Sequence, residues 1–373
     1  MDVQISKKIN LKLIELNNER NWYFLLIIVN ILFILQLKVA VQNFFIQMMI
    51  NYKLILIPYI LFSLIGYYFL FKYNFKKEIH KTYMILLLIF FLFLCTLLLT
   101  FLGNYNFIDK GTDNDDALEI FIQYFLHGDY PYNHLTQLHN RITPFPFLPI
   151  YSMFFFFLGN VAYQNIVNVV IIISIFWLLS NNNDKKIFSF FCLILSLPLY
   201  LFLITQSDHL TVPTMLLLIL FLLTRSRYYS SSVLTGCMIA SKGYFWIVVP
   251  AIIMYLYRKT KIKTFFKCSL TVIIFALLFI IPFLVWDPNT FLHYAPIGVI
   301  EDANYIAFIP YSQFILPLLY CFVSFICALK INNIFLVTLI TYIVGSLTLF
   351  GYSAMIICLV ISINGLICYH EKY

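Results

Sequence analysis

Charged residues are scarce in this sequence, and their scarcity excludes a water-soluble domain of this size. Asp, Glu, Lys and Arg together make up 11% of the 373 residues, whereas about a quarter of the residues in a soluble domain are charged. Hydrophobic residues make up 62%, and the mean hydropathy is +0.90. The composition therefore predicts an integral membrane protein that is surrounded by membrane lipids.

The sequence also lacks the patterns that bind metals or form disulfide frameworks. It has no CxxC pair, and its eight cysteines lie almost entirely inside apolar runs, where a thiol acts as a small packing group. His127, His134 and His139 lie near acidic residues, but their spacing fits no set of ligands on one helix face. We therefore expect no metal ion and no cofactor.

The formal charge of +8 does not predict a nucleic-acid partner, because the basic residues sit in short clusters at the ends of apolar runs. Lys and Arg beside membrane spans concentrate on the cytoplasmic side. When the basic clusters are placed there, both termini are cytoplasmic, and the ranges 103–160 and 287–306 become the two extracytoplasmic loops. The simplest location is the cell membrane.

The apolar runs approach the roughly 20 residues that a helix needs to cross a bilayer. The sequence predicts an all-α polytopic protein, with a single membrane domain over residues 1–373. We expect about twelve transmembrane helices, at about 22–46, 52–71, 82–102, 162–180, 187–204, 210–224, 231–241 and 244–257, then a long one ending at Trp286, then 307–329, 333–350 and 352–369. The segment PFPFLPIYSMFFFFLGN from Pro144 is short and broken by prolines, which predicts an interfacial or re-entrant juxtamembrane helix.

The first outer loop, 103–160, is too long for an unstructured connection in a compact protein. Its sequence DNDDALEIFIQYFLHG places acidic residues before apolar residues at helical spacing. Acidic residues favour the N-terminal end of a helix dipole, and Gly128 is expected to end the helix. We predict an amphipathic helix that lies against the outer membrane face and presents its acidic start to a cleft.

Lys242 is flanked by apolar helical segments on both sides. Burying its charge in lipid would cost at least ~2.5 kcal/mol, so the side chain must reach the outer surface or a polar cavity. Two interpretations stay open. The lysine either snorkels to the interface, or it holds an anionic headgroup at the outer leaflet.

Two segments together carry a family resemblance. The first is DNDDALEIFIQYFLHGDYPY followed by ITPFPFLPIYSMFFFFLGN, and the second is MIASKGYFWIVVP. The first resembles the opening extracytoplasmic loop of GT-C superfamily glycosyltransferases, and the second resembles the TKG segment that many members carry later. The nearest likeness is to polyprenol-phosphate-mannose-type mannosyltransferases. Three expected spans precede the acidic loop here, whereas the family usually has one.

The resemblance implies a polyprenyl-phosphate-sugar-dependent hexosyltransferase. Such an enzyme moves mannose or a similar hexose or pentose from a polyprenyl-phosphate-sugar donor to a lipid or glycan acceptor, with inversion at the anomeric carbon. A carboxylate must take the acceptor proton, and cations must stabilise the leaving phosphate. The family spacing, counted back from Gly128, favours Asp113 as general base, with Asp115 and Asp116 as alternatives. The candidate phosphate contacts are Lys242, Arg141 and His209.

Other interpretations compete with this one. The acidic cluster would also serve simply as a helix cap in a soluble loop. A membrane transporter or a lipid-linked oligosaccharide flippase would show paired repeats and charges at mid-membrane, and the sequence has no convincing repeat. A polysaccharide polymerase or ligase typically concentrates arginines in a late outer loop, whereas 287–306 contains no Arg or Lys.

Overall fold

The computed structural model describes residues 114–180, 210–297 and 311–346, with a few single helical positions outside them. These residues form ten α-helices and three short 3-10 helices, and none of them belongs to a β-strand. The α-helices are α1 (Asn114–His127), α2 (Phe147–Phe157), α3 (Gln164–Leu179), α4 (Thr211–Thr224), α5 (Tyr228–Ile239), α6 (Val249–Lys259), α7 (Ile262–Trp286), α8 (Pro288–His293), α9 (Ser312–Lys330) and α10 (Ile334–Ser346). The 3-10 helices are Pro131–Asn133, Val161–Tyr163 and Gly243–Val248.

Three helical segments are long and apolar enough to cross a membrane. They are Val161–Leu179, which includes α3, Ile262–Trp286 (α7) and Ser312–Lys330 (α9). With 25 residues, α7 is about 37 Å long at 1.5 Å per residue, which exceeds the roughly 30 Å of a hydrocarbon core. The all-α membrane class is therefore supported by helix length and composition.

The expected number of spans is not decided by these helices. The spans predicted at 22–46, 52–71, 82–102, 187–204 and 352–369 lie wholly or mostly outside the described residues. The spans predicted at 231–241 and 244–257 appear as α5 and α6, with 12 and 11 residues. A helix of that length covers about 17 Å, less than the roughly 30 Å of a hydrocarbon core, although the 3-10 helix Gly243–Val248 runs directly into α6. These elements form a helical hairpin, and the predicted count of about twelve spans stays a prediction.

Two contacts show that α3 and α4 run side by side in the same direction. Near their starts, Asn168 Nδ2 donates to Thr211 Oγ1 at 2.9 Å. At their ends, Arg225 Nη2 donates to the Leu178 carbonyl at 2.7 Å. A third contact, from Arg258 to the Ala328 carbonyl at 2.6 Å, brings the ends of α6 and α9 together. We call the end of the bundle that contains residues 178–180, 225–228, 258–263 and 330–334 the basic end.

Helices α5 and α7 start at the basic end and run parallel to the opposite end. They approach most closely at Gly236, where a Cβ atom would lie 2.5 Å from the Val272 carbonyl oxygen and 2.7 Å from Phe275 Cβ. Only glycine fits this position without displacing backbone. Because α5 leads directly to Lys242 and α7 leads directly to Asp287, both residues lie at the opposite end. We call it the loop end, and it comprises residues 114–146, 160–164, 240–246 and 286–297.

A small core of mainly aromatic residues holds the loop end together. Its buried members are Ala117, Phe121, Tyr130, Tyr132, Ile142, Phe145, Phe283, Phe291 and Ala295. They come from α1, the chain that follows it, the end of α7 and α8. The loop end is therefore a packed structure that is built on the end of a membrane-length helix.

The helix predicted after Asp113 is confirmed as α1, and Gly128 at φ 85° follows it. Its environment differs from the prediction. Leu118, Phe121 and Ile122 are fully buried in the protein, so most of the apolar face packs against protein rather than lipid. The prediction of a short helix after Pro144 is also confirmed, because α2 has 11 residues.

Candidate functional site

The acidic start of α1 is enclosed on two sides. At 3.6 residues per turn, Asp116 lies about half a turn around the helix from the buried Leu118 and Phe121, yet it is only 6% exposed. Gln123, on the same side as Asp116 but two turns later, is exposed. On the side of α1 that faces away from Leu118 and Phe121, the first turn is therefore buried by other parts of the protein, whereas the later turns are exposed.

Lys242 lies where α5 gives way to a 3-10 helix, and it contacts the segment between α1 and α2. Its Nζ donates to Thr143 Oγ1 at 3.2 Å. Backbone hydrogen bonds fix the two segments on both sides of this contact, from Phe145 N to Ser241 O and from Phe147 N to Ala240 O, each 2.9 Å long. The SKG segment and the proline-rich segment are therefore joined along the backbone as well as through the lysine.

Arg141 lies on the same side of the chain as Thr143. It is bridged to Leu135 in an antiparallel pair, and the buried Ile142 separates it from the partly exposed Thr143. Side chains two residues apart in an extended segment point the same way. Since Thr143 contacts Lys242, the arginine and the lysine flank one short stretch of backbone on a common side.

Tyr294 holds the guanidinium group of Arg141. The Arg141 Cζ atom lies 4.5 Å from the centre of the Tyr294 ring, and Nη1 donates to the Tyr294 carbonyl at 3.3 Å. A guanidinium over an aromatic face is attracted by the ring's electron-rich surface. This contact places the segment after α8 beside the segment between α1 and α2.

Further hydrogen bonds tie the second loop to the region after α1. Tyr130 donates from its hydroxyl to the Phe283 carbonyl at 3.0 Å. The Thr290 hydroxyl lies 3.0 Å from Asn133 Oδ1 and 2.7 Å from Asp287 Oδ2. Asp287 also accepts from the Thr290 backbone N–H, and these two hydrogen bonds from Thr290 lower the pKa of the Asp287 carboxyl.

The buried Tyr132 fixes the backbone next to Thr143. Its hydroxyl donates to the Pro144 carbonyl at 2.8 Å, and burial raises the pKa of Tyr132 well above its usual value. The phenol therefore stays protonated and keeps donating at any physiological pH. Rings of Phe121 and Phe291 pack edge-on against Tyr132, so the position of Thr143 is set by the aromatic core.

Four of the six predicted site residues belong to the loop end as the structure describes it. Asp115 and Asp116 are in the first turn of α1, while Arg141 and Lys242 flank Thr143. Asp113 and His209 lie outside the described residues. The structure adds two residues that the sequence did not single out, Thr143 and Tyr294.

Two of the three loop histidines make local contacts of their own. His134 stacks on Tyr124 with ring centroids 3.3 Å apart, and His127 Nδ1 lies 2.6 Å from the Gln123 carbonyl. Within 114–180, 210–297 and 311–346, no three His, Cys, Asp or Glu residues form a group that could hold a metal ion.

Comparisons of the chain with protein-family models, with curated proteins and with solved structures gave no significant match. The resemblance to GT-C glycosyltransferases therefore rests on the two sequence motifs alone.

Proposed function

We propose that this protein is a polyprenyl-phosphate-sugar-dependent glycosyltransferase of the GT-C type. It lies in the cell membrane with the loop end outside and both termini in the cytoplasm. It transfers a hexose or pentose, such as mannose, to a lipid or glycan acceptor at the outer face.

One observation carries this proposal. Lys242 of the SKG segment donates a hydrogen bond to Thr143 of the proline-rich segment, so the two GT-C-like motifs meet although 99 residues separate them. Ala117, which follows the acidic first turn of α1, packs in the same aromatic core as Ile142 and Phe145, the neighbours of Thr143 and Pro144. Acids and cations are thus brought to one end of the bundle, as the transfer reaction requires.

The reaction assigns different tasks to the two groups of residues. The acceptor hydroxyl oxygen attacks the anomeric carbon while the bond from that carbon to the phosphate oxygen breaks. The hydroxyl proton passes to a carboxylate, for which Asp113 is the first candidate and Asp115 and Asp116 are the alternatives. The departing polyprenyl phosphate keeps the electron pair, and its negative charge is stabilised by Lys242 and Arg141.

The two cations suit a phosphate for different reasons. Arg presents a planar fork of donors that matches two phosphate oxygens, whereas Lys is a compact point charge on a flexible stem. Tyr294 limits the orientations of the Arg141 fork, and Thr143 limits those of the Lys242 ammonium. Donors that are oriented before the phosphate leaves need little rearrangement in the transition state.

The test is sugar transfer in membranes that contain the wild type or an Asp→Asn variant at 113, 115 or 116. The donors are a panel of radiolabelled polyprenyl-phosphate sugars, and the acceptor is a lipid extract of the host. We expect wild-type transfer with at least one donor and its loss in one of the three variants at equal protein levels. Absence of transfer with every donor would instead favour a transporter or flippase.

A further inference from the structure

In the contact between Lys242 and Thr143, the threonine hydroxyl oxygen is the hydrogen-bond acceptor. An ammonium group has three donors and no acceptor, so in the 3.2 Å contact Lys242 Nζ donates and Thr143 Oγ1 accepts. The hydroxyl proton of Thr143 must then point to another acceptor. In the part of the chain that the structure describes, no hydrogen bond has this hydroxyl as its donor.

The environment of Thr143 leaves room for an outside acceptor. The residue is partly exposed, whereas Ile142 before it and Pro144 after it are buried. Its side chain points to the same side as Arg141, two residues earlier, and lies against Lys242. Two cationic groups and a hydroxyl donor therefore share one side of a short extended segment.

We propose that Thr143 is a third phosphate contact, donating its hydroxyl proton to the phosphate group held between Arg141 and Lys242. This inference rests on the proposed function, because that function supplies the phosphate. Lys242 contributes twice. It attracts the phosphate directly, and by donating to Oγ1 it polarises the hydroxyl, which makes the O–H a stronger donor.

The ligand chemistry is that of a phosphate ester. The sugar donor carries a phosphodiester and the product a monoester, and both offer several oxygens that can accept hydrogen bonds from an arginine, a lysine and a hydroxyl. The same chemistry exists in phospholipid headgroups and in free phosphate. The experiment must therefore separate a polyprenyl phosphate from these two other sources.

The experiment measures binding of a polyprenyl phosphate, and of the matching neutral polyprenol, to the full-length protein in phosphatidylcholine nanodiscs. The variants are Thr143→Val, which removes the hydroxyl and keeps the shape, and Thr143→Ser, which restores the hydroxyl. The matched control is Thr271→Val in α7, whose hydroxyl is bonded to the Lys267 carbonyl of its own helix. Competition with phosphatidylglycerol and with inorganic phosphate identifies the source of the phosphate group.

We expect Thr143→Val to bind the polyprenyl phosphate about tenfold more weakly, the effect of losing one hydrogen bond to a charged group. Thr143→Ser should restore binding, Thr271→Val should match the wild type, and neither competitor should displace the ligand at equal concentration. If Thr143→Val lowers the thermal unfolding midpoint, Thr143→Ala takes its place with the same expectation.

Three results would overturn the inference, and they differ in their consequences. Wild-type affinity in both Thr143→Val and Thr143→Ala would remove Thr143 as a contact and leave the proposed function standing. Equal displacement by phosphatidylglycerol or inorganic phosphate would show a general anion site. Equal binding of polyprenyl phosphate and polyprenol by the wild type would remove both the inference and the proposed function.

Discussion

The two ends of the bundle use their cations in different ways. At the basic end, Arg225 donates to the Leu178 carbonyl and Arg258 donates to the carbonyls of Ala328 and Ile331. These acceptors lie where helices finish and backbone carbonyls have no partner within the helix. At the loop end, Arg141 and Lys242 lie outside α-helices. Arg141 contacts both the ring and the carbonyl of Tyr294, and Lys242 contacts the Thr143 hydroxyl.

The loop end and the basic end also differ in which charged residues they contain. Within the described ranges, every acidic residue is at the loop end, namely Asp115, Asp116, Glu119, Asp129 and Asp287. The basic residues at the other end or within two turns of it are Arg225, Arg227, Arg258, Lys259, Lys261, Lys263, Lys267 and Lys330. Most of the second group lies at or near helix ends, where Lys and Arg side chains commonly interact with the last backbone carbonyls. Arg141 and Lys242 lie outside α-helices, at the same end of the bundle as the acidic residues, so this explanation does not apply to them. For this reason we propose the loop end as the site of the reaction.

The largest effect is expected from Lys242→Met, which removes the charge and keeps most of the apolar stem. We expect sugar transfer to fall about 100-fold, the typical effect of removing one donor that stabilises a developing negative charge. The thermal unfolding midpoint should change little, because Lys242 is partly exposed and Met keeps most of its apolar stem. Unchanged transfer would return Lys242 to the role of an interfacial lysine.

The reverse result is expected for Arg258→Met at the basic end. Its guanidinium contacts the Ala328 and Ile331 carbonyls and the Asn332 side chain. Loss of these bonds should lower the free energy of unfolding by about 2 kcal/mol, measured by thermal unfolding in detergent. Transfer per folded molecule should stay at the wild-type level. A loss of transfer without a loss of stability would mean that the two ends are not functionally distinct.

A smaller effect is expected at Tyr294, which positions Arg141. Tyr294→Leu removes the ring face and should raise the KM for the donor about two- to fivefold, since such a contact is worth about 0.5–1 kcal/mol at exposed sites. Tyr294→Phe retains the ring and should behave as the wild type.

The control for Tyr294 comes from the basic end. There Arg225 lies 5.6 Å from the centre of the Phe221 ring, an interaction of the same kind. Phe221→Leu should leave the KM for the donor unchanged. If both leucine variants raise KM equally, the effect of Tyr294 is structural and not specific to the site.

The smallest effect concerns the pH dependence of stability through Asp287. Hydrogen bonds from Thr290 lower the pKa of Asp287 in the folded protein below its usual 3.8. A lowered folded-state pKa means that this carboxylate stabilises the fold above the unfolded-state pKa and loses that effect as the pH falls through the folded-state pKa. Asp287→Asn should therefore lose slightly less stability than the wild type between neutral pH and about pH 3. Parallel pH profiles of the unfolding midpoint would contradict this.

Local signals in the sequence were enough to predict several elements of the loop end. Acidic residues, helical spacing and Gly128 predicted α1, and prolines predicted that the helix after Pro144 is short. The position of Lys242 between two short helices is also as predicted. Each of these features depends on residues within one or two helical turns, which a single sequence displays directly.

The contacts that build the candidate site could not be predicted in the same way. Arg141 and Tyr294 are 153 residues apart, and the sequence around each residue does not indicate that the other is its contact. The amphipathic pattern of α1 predicts that its apolar side is buried, but it does not show whether lipid or protein buries that side. The prediction of lipid was therefore wrong for most of this side. Thr143 had a usable signal, the alternation of Arg141, Ile142 and Thr143, but the alternation does not identify Lys242 as the neighbour.

The close approach of α5 and α7 at Gly236 also sets the depth of Lys242. Farther along, Phe147 bonds to the Ala240 carbonyl and packs on Phe279 with ring centroids 4.9 Å apart. Phe279 precedes the last residue of α7 by two helical turns, so Lys242 lies roughly 5 to 10 Å short of the level at which that helix ends. In the membrane orientation that we propose, a phosphate that is carried by a lipid lies closer to this level than a sugar nucleotide dissolved in water does. Under the proposed function, this depth favours a donor that is anchored in the membrane by its lipid.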